Sequence, residues 1–165
     1  MNQENRNGFE IRFATENDIS IILQLIKDLA DYEKLSDAVV ATEELLFSSL
    51  FVKKQAEVIL GEEDGVVVGF ALFFHNYSTF LGKANLFLED LFVIESYRKK
   101  GYGKALLSYV AKIAVERNCE RLDWLCLDWN QSSIDFYKQV GAEHLKQWTL
   151  LRAKSENLKK LSKLV

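Results

Sequence analysis

The chain of 165 residues contains no proline. Average usage would supply about eight, so none of its turns is fixed by a pyrrolidine ring. Cysteine and histidine are almost as scarce, with two of each. Cys119 and Cys126 have no further cysteine and no neighbouring histidine to complete a zinc site, and one pair makes no disulfide framework. Buried free thiols are the expectation. His75 and His144 stand far apart in sequence and show no metal-ligand spacing, so no metal is expected. No apolar run approaches the roughly 20 residues that span a bilayer, and the polar opening Met1–Asn7 has no apolar signal centre. A cytoplasmic location without a membrane partner is therefore expected. Positive charge is not in excess either. With 21 Lys and Arg against 24 Asp and Glu, the net charge is -3, which argues against nucleic acid as a partner.

What is present is ordinary globular composition, 48% apolar and 27% charged. A single domain over residues 1–165 is expected, with residues 1–8 as a flexible lead. The acids are unevenly placed. Asp28, Asp31, Glu33, Asp37, Glu43 and Glu44 fall in one early segment, whereas the stretch Arg98–Lys104 is basic. That segregation suits a cationic substrate at one end of a cleft and an anionic cofactor at the other. A solvated helix face accounts for the acids equally well.

Phe9–Phe13 alternates as a strand, and Thr15 offers an N-cap with Asp18 three residues on. Ile22, Leu25, Ile26 and Leu29 then recur at helical spacing, predicting a helix to about Tyr32, with a shorter one after Thr42. The runs 56–60 and 66–74 flank Glu63-Asp64-Gly65 as a hairpin. A polar loop over His75–Thr79 is expected before a central strand, Leu86–Val93. A helix after Gly103 to about Asn118, a strand over Arg121–Leu127 and a helix from Ser132 to Val140 closed by Gly141 follow. A strand pair near Glu143–Leu145 and Trp148–Arg152 and a short helix from Ser155 complete the expectation. Hairpins early and parallel crossovers late make this a mixed α/β class, a central sheet flanked by helices.

The most informative stretch is Ser96-Tyr97-Arg98-Lys99-Lys100-Gly101-Tyr102-Gly103-Lys104. A strand leading through a basic glycine turn into a helix N-terminus gathers backbone N–H groups into an anion cradle. A dinucleotide fingerprint would need glycine where Leu106 stands, and a P-loop would need glycine at Arg98 and Ser or Thr at Ala105. The remaining pattern, R-x-x-G-x-G, is also what a solvated glycine turn could show. It resembles the pyrophosphate-binding motif of the GNAT family of acetyl-CoA-dependent N-acetyltransferases. A second segment agrees with it in order and position: Asn130 through Phe136-Tyr137 to Gly141-Ala142 resembles the family's N-x-x-x-x-x-F-Y-x-x-x-G-[FA]. Arg12–Thr15, Leu25–Ala30, Tyr32-Glu33, Leu88–Asp90 and Trp129-Asn130 are similar to the polyamine and thialysine branch of that family, with Tyr77–Thr79 and Leu127–Gln131 closer to the thialysine side. Phe13, Ser96 and Ser132 stand where such sequences often carry proline, a change of loop stiffness. Phe80 replaces a usual tryptophan, and the stretch between Ala142 and Trp148 is shorter than in animal relatives.

The resemblance implies a GNAT fold, acetyl-CoA as cosubstrate, and a set of site residues. Arg98, Lys99, Lys100, Gly101, Tyr102, Gly103 and Lys104 would hold the pyrophosphate, and the backbone of Leu91, Phe92 and Val93 would pair with the pantetheine arm. An amide there would also donate to the developing oxyanion. Asn130 would hydrogen-bond the pantetheine, with Ser133 and Lys138 as further cofactor contacts. Tyr137 would protonate the departing thiolate. Tyr32 and Glu33 match amine-contacting positions. An alkylammonium titrates near 10 and must lose a proton before attack, so Glu89 is the candidate base, through a water, and also a substrate contact. On regular alternation Glu89 and Leu91 share a face, while Asp90 points the other way in a structural role. Neither cysteine lies where it would be ionised, which leaves direct attack in a ternary complex rather than an acyl-enzyme. The expected substrate is a small primary amine, a polyamine or a lysine-like amino acid, handled by a homodimer. Acetylation of protein N-termini or lysines, and a non-catalytic acetyl-CoA sensor, are the alternatives.

Overall fold

The computed structural model describes residues 8–164, and of the expected flexible lead residues 1–7 lie outside that range. The strands are β1 (Phe9–Phe13), β2 (Glu57–Glu63), β3 (Val66–Ser78), β4 (Lys83–Val93) and β5 (Leu122–Trp124), and they form one sheet in that order. The helices are α1 (Ile19–Tyr32), α2 (Glu43–Phe47), α3 (Tyr102–Glu116), α4 (Gln131–Gln139) and α5 (Glu156–Leu161). The first four strands are antiparallel, and only β4 and β5, joined across α3, run parallel. A mixed α/β sheet flanked by helices is therefore what the chain forms. It divides into two compact units, one ending at Leu125 and one beginning at Cys126. All five strands and α1–α3 belong to the first.

The first unit buries both faces of its sheet. Ile19, Ile22, Leu23 and Leu25 of α1, with Leu46 and Leu50, pack on Val58, Leu60, Phe70 and Phe92. On the other face α3 buries Leu106, Val110 and Ile113. Close approach there requires a bare backbone. A Cβ at Gly61 would stand 2.7 Å from the Phe9 ring and 3.5 Å from the Leu106 side chain.

Three expectations are corrected. His75–Thr79 is not a loop: β3 continues to Ser78 and pairs His75 with Leu86, Asn76 with Asn85 and Tyr77 with Ala84. Ladder bonds are made by backbone, so polar side chains do not end a hairpin whose outer part meets water. The strand over Arg121–Leu127 pairs only through Leu122–Trp124. No strand forms among the described residues at Glu143–Leu145 or Trp148–Arg152, where Lys146 and Trp148 instead donate locally to the carbonyls of His144 and Leu145. Alternation marks a chain able to be a strand, but pairing needs an edge the local sequence does not supply. The thiols also differ from expectation, since Cys119 and Cys126 are both half-buried.

Entry into α1 is fixed by charge. Arg12 on β1 spans Asp18 at 2.8 Å and Glu62 at 2.7 Å, and the Asp18 carboxylate also accepts from the Thr15 amide at 2.7 Å. The Arg12 guanidinium and Thr15 hold Asp18 well below the usual carboxylate range. Its contribution is therefore present above the ordinary value of 3.8 and lost as pH falls through the lowered one. Asp18→Asn is expected to destabilise the protein at pH 7 by about 1–3 kcal/mol, the range for hydrogen bonds to charged groups. In urea titrations the difference from wild type should shrink towards pH 2.

Candidate active site

Strand β4 carries the irregularity on which the site is built. Leu88 pairs with Phe73, but Asp90 pairs with Leu72, so Glu89 is an extra residue opposite the step. A bulge of this kind shifts the phase of alternation by one. Asp90 is thereby placed on the face of Leu72 and Phe92, against α1, and Leu91 shares the α3 face with Leu88. Glu89, as the extra residue, falls outside the alternation expected to put it on the face of Leu91, while Asp90 lies opposite Leu91. Burial, the Glu89 charge and the Glu33 charge together push the Asp90 carboxyl up to about 7.

The same strand is also uncovered beyond that point. It pairs with β5 only over Leu86–Leu88. Among the described residues no strand lies on that edge from Glu89 onwards, so the peptide groups of Leu91, Phe92 and Val93 border an open edge.

The basic turn follows directly. Lys99 has φ 65° and Gly101 φ 89°, and the left-handed kinks deliver the chain into α3 at Tyr102. The first amides of a helix have no intrahelical acceptor, which leaves those around Gly103 and Lys104 facing outward. A Cβ added at Gly101 would meet nothing within 4 Å, and one at Gly103 only the Val93 side chain at 3.9 Å. The side chains of this turn are largely engaged elsewhere. Lys100 Nζ pairs with Glu63 at 2.8 Å, and the Tyr102 hydroxyl donates to the same carboxylate. Tyr102 stacks on Phe9 with centroids 3.9 Å apart. Glu63 is held down by Lys100 and Tyr102, while the hydrogen bond to Glu63 pushes the Tyr102 phenol up to about 12. Arg98 turns back to the Val93 carbonyl, and Lys99 and Lys104 are exposed. The cradle is thus mainly backbone, with its side chains bracing it.

Tyr32 and Glu33 close α1, where the Glu33 and Leu35 amides bond back to Leu29 and Ala30 and Lys34 turns left-handed at φ 61°. Burial raises the Glu33 carboxyl above its ordinary value. Its charge also acts on Asp90. Asp28, Asp31 and Glu43 are hydrogen-bonded to Gln24, Ser36 and Ser20 on or beside the helices.

In the second unit, Asn130 caps α4. Its buried side chain accepts from the Ser133 amide at 3.2 Å. Tyr137 lies one turn on with its ring 5.2 Å from that of Phe136, and Lys138 is exposed near the helix end. Gly141 takes the expected left-handed conformation at φ 93°.

Two groups in the first unit carry no signal in the sequence. Strict alternation misplaces Asp90 because it counts through a bulge, and nothing in the neighbourhood of Glu63 announces a partner on α3.

The chain belongs to the acetyltransferase (GNAT) family, whose pattern matches residues 22–142. It is an N-acetyltransferase acting on amines, of a family that uses acetyl-CoA. It is 38% identical to thialysine N-epsilon-acetyltransferase of Bos taurus, covering 92% of this chain and 96% of that one. It is 35% identical to L-ornithine N5-acetyltransferase NATA1 of Arabidopsis thaliana, over 93% of this chain and 88% of the relative. An integron cassette protein of V. cholerae has the same fold, with TM-score 0.80, 28% identity and coverage of 94% and 98%. The open space at Gly101 and Gly103 fits the diphosphate of such a cosubstrate.

Two outcomes follow from this geometry. Gly101→Ala forces a left-handed alanine into the turn, at about 1–2 kcal/mol of strain, and should weaken coenzyme A binding roughly tenfold or more by calorimetry through lost amide contacts. Asp90→Asn should stabilise the fold at pH 8 by up to about 4 kcal/mol, from some 3 pK units at about 1.4 kcal/mol each. A raised carboxyl leaves stability intact below 3.8 and loses it as pH rises through about 7, so the gain should vanish near pH 4 in denaturant titrations.

Proposed function

We propose that this protein transfers an acetyl group from acetyl-CoA to a primary amine of a small cationic molecule, a polyamine or a lysine-like amino acid, by direct attack with both bound. The observation that carries this reading is the grouping of Glu33, Glu89 and Asp90, where burial first, and then the Glu89 and Glu33 charges, raise the Asp90 carboxyl. Acids grouped in this way favour an ammonium between them. The thialysine and ornithine relatives act on amines at the end of a cationic side chain, which supports the same size of substrate.

Bound acetyl-CoA supplies an activated acyl carbonyl. The amides of Leu91–Val93 orient it along the open edge, and the cradle over Lys99–Lys104 holds the diphosphate. Tyr32 and Glu33 position the amine. Glu89 accepts its proton through water beside Asp90, whose carboxyl burial and the neighbouring charges push up to about 7. Tyr137 donates a proton to the leaving sulfur, with Asn130, Ser133 and Lys138 completing the cofactor contacts. Both compact units belong to one acetyltransferase domain in this reading, because the family match runs across their boundary at Leu125. A cytoplasmic homodimer accords with the family resemblance.

The test is an acetyl-CoA assay against spermidine, putrescine, thialysine, ornithine, lysine and a peptide N-terminus, run with Tyr137→Phe beside wild type. Turnover should appear with one of the small amines and fall about 10²–10⁴-fold in the variant, while coenzyme A binding is retained. Activity confined to the peptide, or to no amine at all, overturns the small-amine reading.

A further inference from the structure

The arginine that opens R-x-x-G-x-G is expected to lend its charge to the diphosphate. Its side chain is committed elsewhere. A short turn, in which Tyr97 and Arg98 donate to the carbonyls of Ile94 and Glu95, folds the arginine back over its own strand. Arg98 Nε–H donates to the Val93 carbonyl at 2.9 Å. The guanidinium carbon lies 4.5 Å from the Tyr32 ring centroid and 5.4 Å from that of Phe92. Phe92 is a buried residue of the strand and Tyr32 is the last residue of α1, so one planar cation joins the two elements.

We propose that Arg98 is a positioning residue for the amine rather than a phosphate ligand. By holding the Tyr32 ring against β4 it sets the end of α1, and with it the next residue, Glu33, relative to Asp90. This rests on the reading of Tyr32 and Glu33 as amine contacts. It also ties the amine side to the strand that orients the thioester, since Val93 belongs to the open edge and Arg98 to the turn beyond it.

Lysine separates the two roles. Arg98→Lys keeps the positive charge near the diphosphate and loses the planar stack and the Nε–H bond. The expected result is a KM for the accepted amine raised roughly three- to thirtyfold, the range of a partly desolvated cation–π contact. The coenzyme A Kd, measured by calorimetry, should stay within about threefold. In a Tyr32→Leu background the same substitution should change the amine KM little further, because the ring it acts through is gone. A coenzyme A Kd raised tenfold or more, or effects of the two substitutions that simply multiply, would overturn the proposal. The calorimetric readout needs no amine. It therefore judges Arg98 even where the assay has failed to find a substrate, and that second failure would count against the small-amine reading alone. Arg98→Gln, read the same way, serves if the lysine variant does not fold.

Discussion

Every interior strand must satisfy hydrogen-bonding groups on two edges, and β4 does so on only part of one. On the β3 side it is paired from Lys83 to Val93 at every residue but Glu89. On the β5 side pairing stops at Leu88. The two facts together make the site: one edge holds the strand rigid while the other leaves backbone groups available to an extended ligand. The bulge at Glu89 falls where β5 departs. An extra residue in the ladder bends a strand and re-aims the side chains after it, here Asp90.

Charge is sorted around that strand in opposite ways. At the basic turn the cations are restrained by neighbours: Lys100 by Glu63, Arg98 by two rings and a carbonyl. What the turn presents is mostly its amides, which carry partial charge at fixed positions. On the α1 face the situation is reversed. Burial, with the charges of Glu89 and Glu33, raises the Asp90 carboxyl, and the protein tolerates that cost. A buried carboxyl held near neutrality is an expensive feature for a fold, and such features gather where chemistry needs them.

Much of this was legible beforehand because it is local. The α1 helix ends at Tyr32 as its 3.6-residue spacing predicts, the hairpin turns at Asp64-Gly65, Gly101 is left-handed before α3, and Gly141 ends α4 in the same conformation. Each depends on residues within a turn or two of one another. The misreadings share the contrary property. The extension of β3 to Ser78, the shortness of β5 and the missing strands after Glu143 were all decided by partners distant in sequence.

The residues by themselves determined the family, the glycine cradle and which side chains could carry acid, base and charge, since motif spacing and helix or turn propensity are written within short windows. Only the tertiary structure decided where those side chains act. A one-residue slip in pairing between β3 and β4 moved Asp90 to the face of α1, and a turn after Val93 sent Arg98 to Tyr32 instead of outward. Register and long-range stacking are set by the lowest free energy of the whole packed sheet, and no count along one strand contains that information.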